Sequence, residues 1–391
     1  MTLANRLNQV RLAVLRTQDA TAEPAHKIDG LLISDIVNVG YVSGFTGSTA
    51  LALVMPDKAY LITDARYAIR ARAECPHFEP VIAKLSAAAL EGLVKILEGY
   101  AKDVRLGFET SVPYGTLHGW KAKAPNTIRW RPAEGIVEKL RMVKDDGELA
   151  AIRVAVGIAQ DAFADVLPLI KPRITERQFA LELDFAMRRR GADRVSFDTI
   201  VASGPNGANP HCTPADRPFE AGDLVTVDWG AERDGYVSDI TRTVLVPGKA
   251  ATDEQRKVYE SVLRAKQLAT AAITPGAPGK DIDAIARDFI AARGYGENFG
   301  HSLGHCIGRV VHDGPALSSR SEVILQPGMV VTVEPGIYVE GWGGIRIEED
   351  VLVTETGHEV LSFPSGPLDA PVNAPMAAKP AKSHKIAKPK P

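Results

Sequence analysis

Between residues 28 and 67 short apolar runs alternate with turn-forming residues: IDGLLI, then VGYVSGFTGS, then LALVM-PD-KAYLIT. Runs this short, bounded by Gly, Pro and Asp, predict strands joined by hairpin-type breaks. Residues 87–101 predict a helix and VRLGFE (104–109) another strand, so residues 1–143 read as an α/β unit. The period then changes. From RMVKDDGELAAI (141–152) onward, Ile152, Val156, Ala159, Phe163 and Ile170 recur at helical spacing. This predicts a helix over 147–170 and a domain boundary near 142–146. A second helix is expected over 176–190, with Thr175 and Gln178 as a capping box and Phe179, Leu183 and Met187 as its apolar face. Strands and a hairpin follow. The order then returns: Thr252 and Gln255 cap a helix bearing Val258, Val262 and Ala265, and a further helix carries Ile282, Ile285, Ala286 and Phe289 and stops at Gly294. Helix, helix, strands, hairpin, twice over, predicts a duplicated domain across 144–366.

The two hairpins carry the chemistry. Residues 222–246 read GDLVTVDWGAERDGYVSDITRTVLV, and residues 328–353 read GMVVTVEPGIYVEGWGGIRIEEDVLV. Each opens with Gly and runs through V-T-V into an acid, Asp228 or Glu334. Each meets a second acid on the return, Asp239 or Glu348. On a strand, side chains two apart share a face, so the four carboxylates converge if the hairpins face each other. Buried carboxylates repel and are costly to desolvate, and two divalent cations would balance four of them. Oxygen ligands with one imidazole favour manganese or a similar ion. Three of the nine histidines, His301, His305 and His312, fall in GHSLGHCIGRVVHDGP, and His211 precedes the first hairpin in NGANPHCTPADRP. A neutral imidazole can complete a metal shell, and others can bind substrate or move protons.

Composition narrows the partners. The 391 residues are 45% hydrophobic with a formal net charge of −2, which gives no argument for nucleic acid or membrane binding. No apolar run is long enough to span a bilayer, and the N-terminus lacks the continuous apolar stretch of a secretory signal. Three widely spaced cysteines, Cys75, Cys212 and Cys306, form no disulfide framework, so a cytoplasmic location is expected. From residue 367 to 391 the chain is rich in Ala, Pro and Lys and is expected to be a disordered tail. No phosphate-binding loop, dinucleotide fingerprint or serine-nucleophile elbow occurs.

The motifs VDWG, SDITRT, H-x3-H-x6-H, VEPGIY and RIEED stand in one order that resembles Xaa-Pro aminopeptidases and prolidases. The resemblance covers nearly the whole chain except the tail. It implies an α+β architecture: a C-terminal pita-bread catalytic domain with internal duplication, preceded by an α/β creatinase-like N-terminal domain. It implies two divalent metal ions, usually manganese, with cobalt or zinc as alternatives. Asp228 would bind one ion alone, Asp239 and Glu348 would bridge, and His305 and Glu334 would bind the other ion. His211, His301 and His312 would bind substrate and stabilise the transition state, with Arg346 beside the second bridging acid. Glu334 would also move the proton. The implied substrate is a proline-containing peptide and the implied assembly a homodimer. The aminopeptidase reading is placed first, with Xaa-Pro dipeptidase (prolidase) as the alternative and a non-catalytic binding protein behind both. Cys306, Arg309 and Asp313 depart from the residues usual at their positions, which leaves fine specificity open.

Overall fold

The computed structural model describes residues 1–18, 27–83, 89–100, 103–368 and 370. The tail expected over 367–391 lies outside these, apart from Pro367, Leu368 and Ala370. The chain forms two compact units. The first comprises Met1–Ala150 together with Ile307–Gly314, and the second Ala151–Cys306 with the residues from Pro315 onward.

The first unit contains, in order, α1 (Leu3–Arg16), β1 (Gly30–Ile33), α2 (Ile36–Ser43), β2 (Ala50–Val54), β3 (Ala59–Asp64), α3 (Ala68–Glu74), β4 (Glu79–Ala83), α4 (Ala89–Glu98), β5 (Val104–Glu109), α5 (Tyr114–Lys123), β6 (Ile128–Ala133) and α6 (Ile136–Met142). Its strands form one sheet in the order β4-β3-β2-β1-β5-β6. The β1–β2 and β2–β3 pairs are antiparallel and the rest parallel. The central strands β1 (GLLI) and β2 (ALALV) read as unbroken apolar runs because both faces are covered. Leu31, Ile33 and Leu61 pack on one face with Leu7, Val10 and Val14 of α1, while Leu32, Ile62 and Leu106 pack on the other with Leu93, Leu97 and Trp120.

VGYVSGFTGS, expected as a strand, is instead the second half of α2 and the loop after it. Asp35 caps that helix by accepting from the backbone of Val37 and Asn38, and Gly44, at φ +82°, ends it. Residues Asn38 to Ser43 are all buried, so the helix has no polar face to give it a helical period.

The second unit repeats itself. Its first half holds α7 (Asp146–Val166), α8 (Glu176–Arg189), β7 (Arg194–Val195), β8 (Ile200–Ser203), β9 (Leu224–Trp229), β10 (Ala231–Arg233), β11 (Tyr236–Val237) and β12 (Ile240–Leu245). The second half holds α9 (Asp253–Ala271), α10 (Gly279–Ala292), β13 (Gly304–His305), β14 (Ala316–Leu317), β15 (Val330–Val333), β16 (Gly336–Val339), β17 (Gly343–Arg346), β18 (Glu349–Val353) and β19 (His358–Val360). Both expected capping boxes, Thr175 with Gln178 and Thr252 with Gln255, are formed.

Each hairpin is broken rather than continuous. In the first, β9 pairs with β12 and the tip continues as β10 with β11; in the second, β15 pairs with β18 and the tip as β16 with β17. The first break falls at Gly230, where a Cβ would lie 1.9 Å from the Ser238 carbonyl oxygen. The second falls at Glu334-Pro335. The halves meet where β12 runs against β17: Thr243 Oγ1 donates to the Arg346 carbonyl at 2.9 Å, and the Glu348 amide donates to the Thr241 carbonyl at 3.1 Å. Behind the first hairpin, Trp229 stacks on Phe163 with ring centroids 4.2 Å apart and donates from Nε1 to the Ala159 carbonyl.

Candidate metal centre

The hairpin breaks place the acids. Asp228 is the penultimate residue of β9, whereas Asp239, Glu334 and Glu348 sit in the gaps just before β12, after β15 and before β18. Asp239, Glu334 and Glu348 thus lie outside their own hairpins' ladders, while Asp228 is paired with Thr241 and Ile200. Asp239, His305 and Glu348 each offer a ligand atom within 4.8 Å of the others. His305 Nε2 lies 3.6 Å from Asp239 Oδ2 and 3.4 Å from Glu334 Oε1. His305 Nδ1 is 3.3 Å from the Cys306 carbonyl. A carbonyl only accepts, so Nδ1 carries the proton and Nε2 presents a lone pair toward the acids.

Burial and mutual repulsion dominate the electrostatics. The Asp239 carboxyl is pushed well above its ordinary range by burial, then by Glu348, Asp228, Glu334 and Asp350. Glu348 is pushed the same way by burial and then by Glu334 and Asp228. Glu334 rises to about 8, mainly through burial, with Arg346 opposing. Asp350 also rises to about 8 through burial, and its Oδ2 accepts from the Asp239 amide at 3.1 Å.

Arg346 is the cation of this cluster. It donates to Asp228 Oδ2 at 2.6 Å, to the Tyr338 hydroxyl at 2.9 Å, and from Nε to Thr241 Oγ1 at 3.1 Å. Thr241 in turn donates to Glu348 Oε2 at 2.7 Å. Because Arg346 donates to the Tyr338 oxygen, the tyrosine proton is directed at His301 Nε2, 3.0 Å away. His301 Nδ1 donates to the Ser302 carbonyl at 2.7 Å. Both ring nitrogens are thus engaged with a neutral imidazole, and burial, with Arg346, Arg287 and His211 nearby, lowers the His301 pKa to about 4.

His211 is exposed and joins the cluster through the chain: the carbonyl of Pro210 accepts from Arg346 at 3.3 Å. His312 lies in the first unit, in the segment Ile307–Gly314. Tyr338, Thr241 and Asp350 are members that sequence reasoning passed over as site residues. Asp350 and Thr241 each lie two residues from a bridging candidate on the same strand face, the one signal that could have found them.

Residues 16–143 match the family model of the Creatinase/Prolidase N-terminal domain, and residues 150–355 match that of Metallopeptidase family M24. The chain belongs to this metallopeptidase family. Its second unit is the pita-bread catalytic domain and its first the creatinase-like domain. A Xaa-Pro dipeptidase of Pyrococcus horikoshii is 37% identical over 347 residues, covering 86% of this chain and 93% of that protein. Among solved structures, the Xaa-Pro dipeptidase from Bacillus anthracis superposes with a TM-score of 0.86 at 37% identity, covering 92% of this chain and 98% of that one. The X-Pro aminopeptidase from Thermotoga maritima does so with 0.79 at 38%, covering 86% and 96%.

Family members use divalent metal ions, and the residues here fit such ions. Asp228 Oδ1 and Glu348 Oε1 are buried with no hydrogen-bond partner, a costly state for a carboxylate oxygen that a cation would relieve. Five buried carboxylates (Asp228, Asp239, Glu334, Glu348, Asp350) crowd around Arg346, with Arg242 also acting on Asp350, so acids outnumber the cations and divalent ions would offset the excess. Among the described residues no helix is long and apolar enough to cross a membrane.

Proposed function

We propose that the protein is a manganese-dependent Xaa-Pro dipeptidase that hydrolyses the bond between a first residue and a C-terminal proline. The observation that carries it is one buried cluster in which Asp239, His305 and Glu348 offer ligand atoms within 4.8 Å of one another while Asp228 Oδ1 and Glu348 Oε1 have no hydrogen-bond partner. The dipeptidase takes precedence over the longer-substrate aminopeptidase because the Pyrococcus horikoshii relative and the Bacillus anthracis structure carry that name. The Thermotoga maritima structure, at similar identity, keeps the aminopeptidase as the second reading.

Asp228, Asp239, His305, Glu334 and Glu348 would hold the two ions, with Asp228 serving one, His305 and Glu334 the other, and Asp239 and Glu348 shared between them. When bound, the ions supply Lewis-acid polarisation of the scissile carbonyl and acidify water. Glu334 takes a proton on the attack side and passes it to the proline nitrogen, which has no hydrogen of its own and departs only once protonated. Arg346 fixes the Asp228 carboxylate and the Tyr338 hydroxyl together. His301, neutral and aimed by Tyr338, and His211 bind the peptide, and His312 stabilises charge on the carbonyl oxygen. Homodimerisation and the cytoplasm complete the proposal.

Asp239→Asn and Glu348→Gln test it: each keeps shape and removes one ligand charge. Metal content by mass spectrometry should fall from about two ions per chain, and activity on an Xaa-Pro dipeptide by at least ~100-fold. Full activity in either variant would sink the two-ion reading.

A further inference from the structure

The eight residues Ile307–Gly314 belong to the first unit although the chain on both sides of them belongs to the second. They form the loop between β13 and β14. A chain of buried polar groups holds them. Glu109, at the end of β5, accepts from the amides of Ser34 and Asp35 at 2.6 and 2.7 Å and from Asn38 Nδ2 at 2.8 Å. Asn38, on α2, accepts through Oδ1 from Arg141 at 2.5 Å. Arg141, on α6, is ion-paired with Asp313 Oδ1. Asp313 Oδ2 accepts from the Arg309 amide at 2.7 Å. Asn38 is 0% exposed, Asp313 3%, and Glu109 and Arg141 4% each. The loop closes tightly over this carboxylate, since a Cβ on Gly308 would lie 2.3 Å from Asp313 Oδ2.

The network ends beside His312, which is exposed while its neighbour Asp313 is buried. The loop has no helix or strand of its own to set its backbone, and Gly314 sits at φ +142°. An imidazole that must act on a carbonyl oxygen needs placement to a fraction of an ångström, and such placement comes from supporting groups. We propose that Arg141, acting through Asp313, is a positioning residue for His312. The inference rests on the proposed role of His312.

The test uses the full-length, metal-loaded protein and the variants Arg141→Met, Asp313→Asn, His312→Ala and Arg141→Met/His312→Ala. Amide hydrogen exchange over residues 307–314 should speed up at least ~10-fold in R141M and D313N while strands β1 to β3 stay unchanged, because only the loop loses its anchor. On an Xaa-Pro dipeptide, R141M should lower kcat about 10- to 100-fold with KM within about threefold. The double variant should be no slower than H312A within about twofold, because both changes remove one contribution. D313N, which keeps the shape of the side chain, stands in where R141M fails to fold. Unchanged exchange in the loop, or a loss by R141M that multiplies with that of H312A, would overturn the proposal. Full activity of H312A would instead overturn the role given to His312, and the proposal with it, whatever the exchange shows.

Discussion

Tyr338 connects Arg346 to His301 through a single hydroxyl. Removing it leaves a guanidinium hydrogen and an imidazole nitrogen without that shared partner in a water-poor site. Such loss costs about 1–3 kcal/mol of stability, so Tyr338→Phe should lower the melting temperature by a few degrees and, with His301 no longer aimed, lower kcat/KM about 10- to 100-fold. His301 yields a pH prediction. Its pKa is lowered from 6.5 to about 4, chiefly by burial, so the native state resists a proton that the unfolded chain accepts. Its contribution is therefore intact above pH 6.5 and is withdrawn as the pH falls from 6.5 toward about 4, by at most about 3 kcal/mol. Urea denaturation of metal-free protein should show a smaller stability difference between pH 7 and pH 4.5 in His301→Gln than in the wild type. That Asp228, Asp239, Glu334 and Glu348 gather in one buried cluster was legible in the sequence, because acids recurring in two matching V-T-V contexts point to one shared place. Tyr338 was not, because a tyrosine at a strand end is ordinary, and Asp350 was legible only as a residue on the same strand face as Glu348, with no role attached.

The helices with capping boxes were legible because the cap and its partner lie three residues apart, and Thr175 and Thr252 both cap as expected. Helix α2 was not, since its apolar residues are buried by tertiary packing on every side and leave no period. The broken hairpins were half legible. The acids and the repeat can be read, but the breaks depend on backbone approach that only the folded chain creates. Gly230 is the clearest case, because an added Cβ would collide with the Ser238 carbonyl rather than with a flexible side chain. Gly230→Ala should therefore cost about 3 kcal/mol or more and misplace both Asp228 and Asp239. Chemical denaturation should report the stability loss, and calorimetric titration a weakened affinity for Mn2+. An alanine variant with wild-type stability and metal affinity would mean that the break is not fixed by this contact.

At the scale of the molecule, the catalytic unit concentrates buried acids that only compensating charge makes tolerable. Beneath the site, Lys266 pairs with Glu349, and Arg242, fully buried, donates to the carbonyls of Thr241, Glu348 and Phe363. Against the burial that would raise it, Lys266 and Arg242 hold the Glu349 carboxyl below its ordinary value. Lys266→Met would leave that carboxylate buried without its cation and should destabilise the protein by about 3–5 kcal/mol, read as a lower urea midpoint. The acids above this layer have Arg346 as their cation and depend on bound ions for the rest of their balance. Ions that bind the native state alone should raise the melting temperature, by about 5 °C or more at saturation, and chelation should reverse the shift. The decisive measurement adds Mn2+ stepwise to metal-depleted protein and follows proline release from an Xaa-Pro dipeptide and cleavage of the matching Xaa-Pro-Yaa tripeptide. A two-ion dipeptidase should show no turnover without metal, a rate that saturates near two ions per chain, and a clear preference for the dipeptide. Turnover that survives chelation, or a tripeptide cut as fast as the dipeptide, would rule out a two-ion dipeptidase.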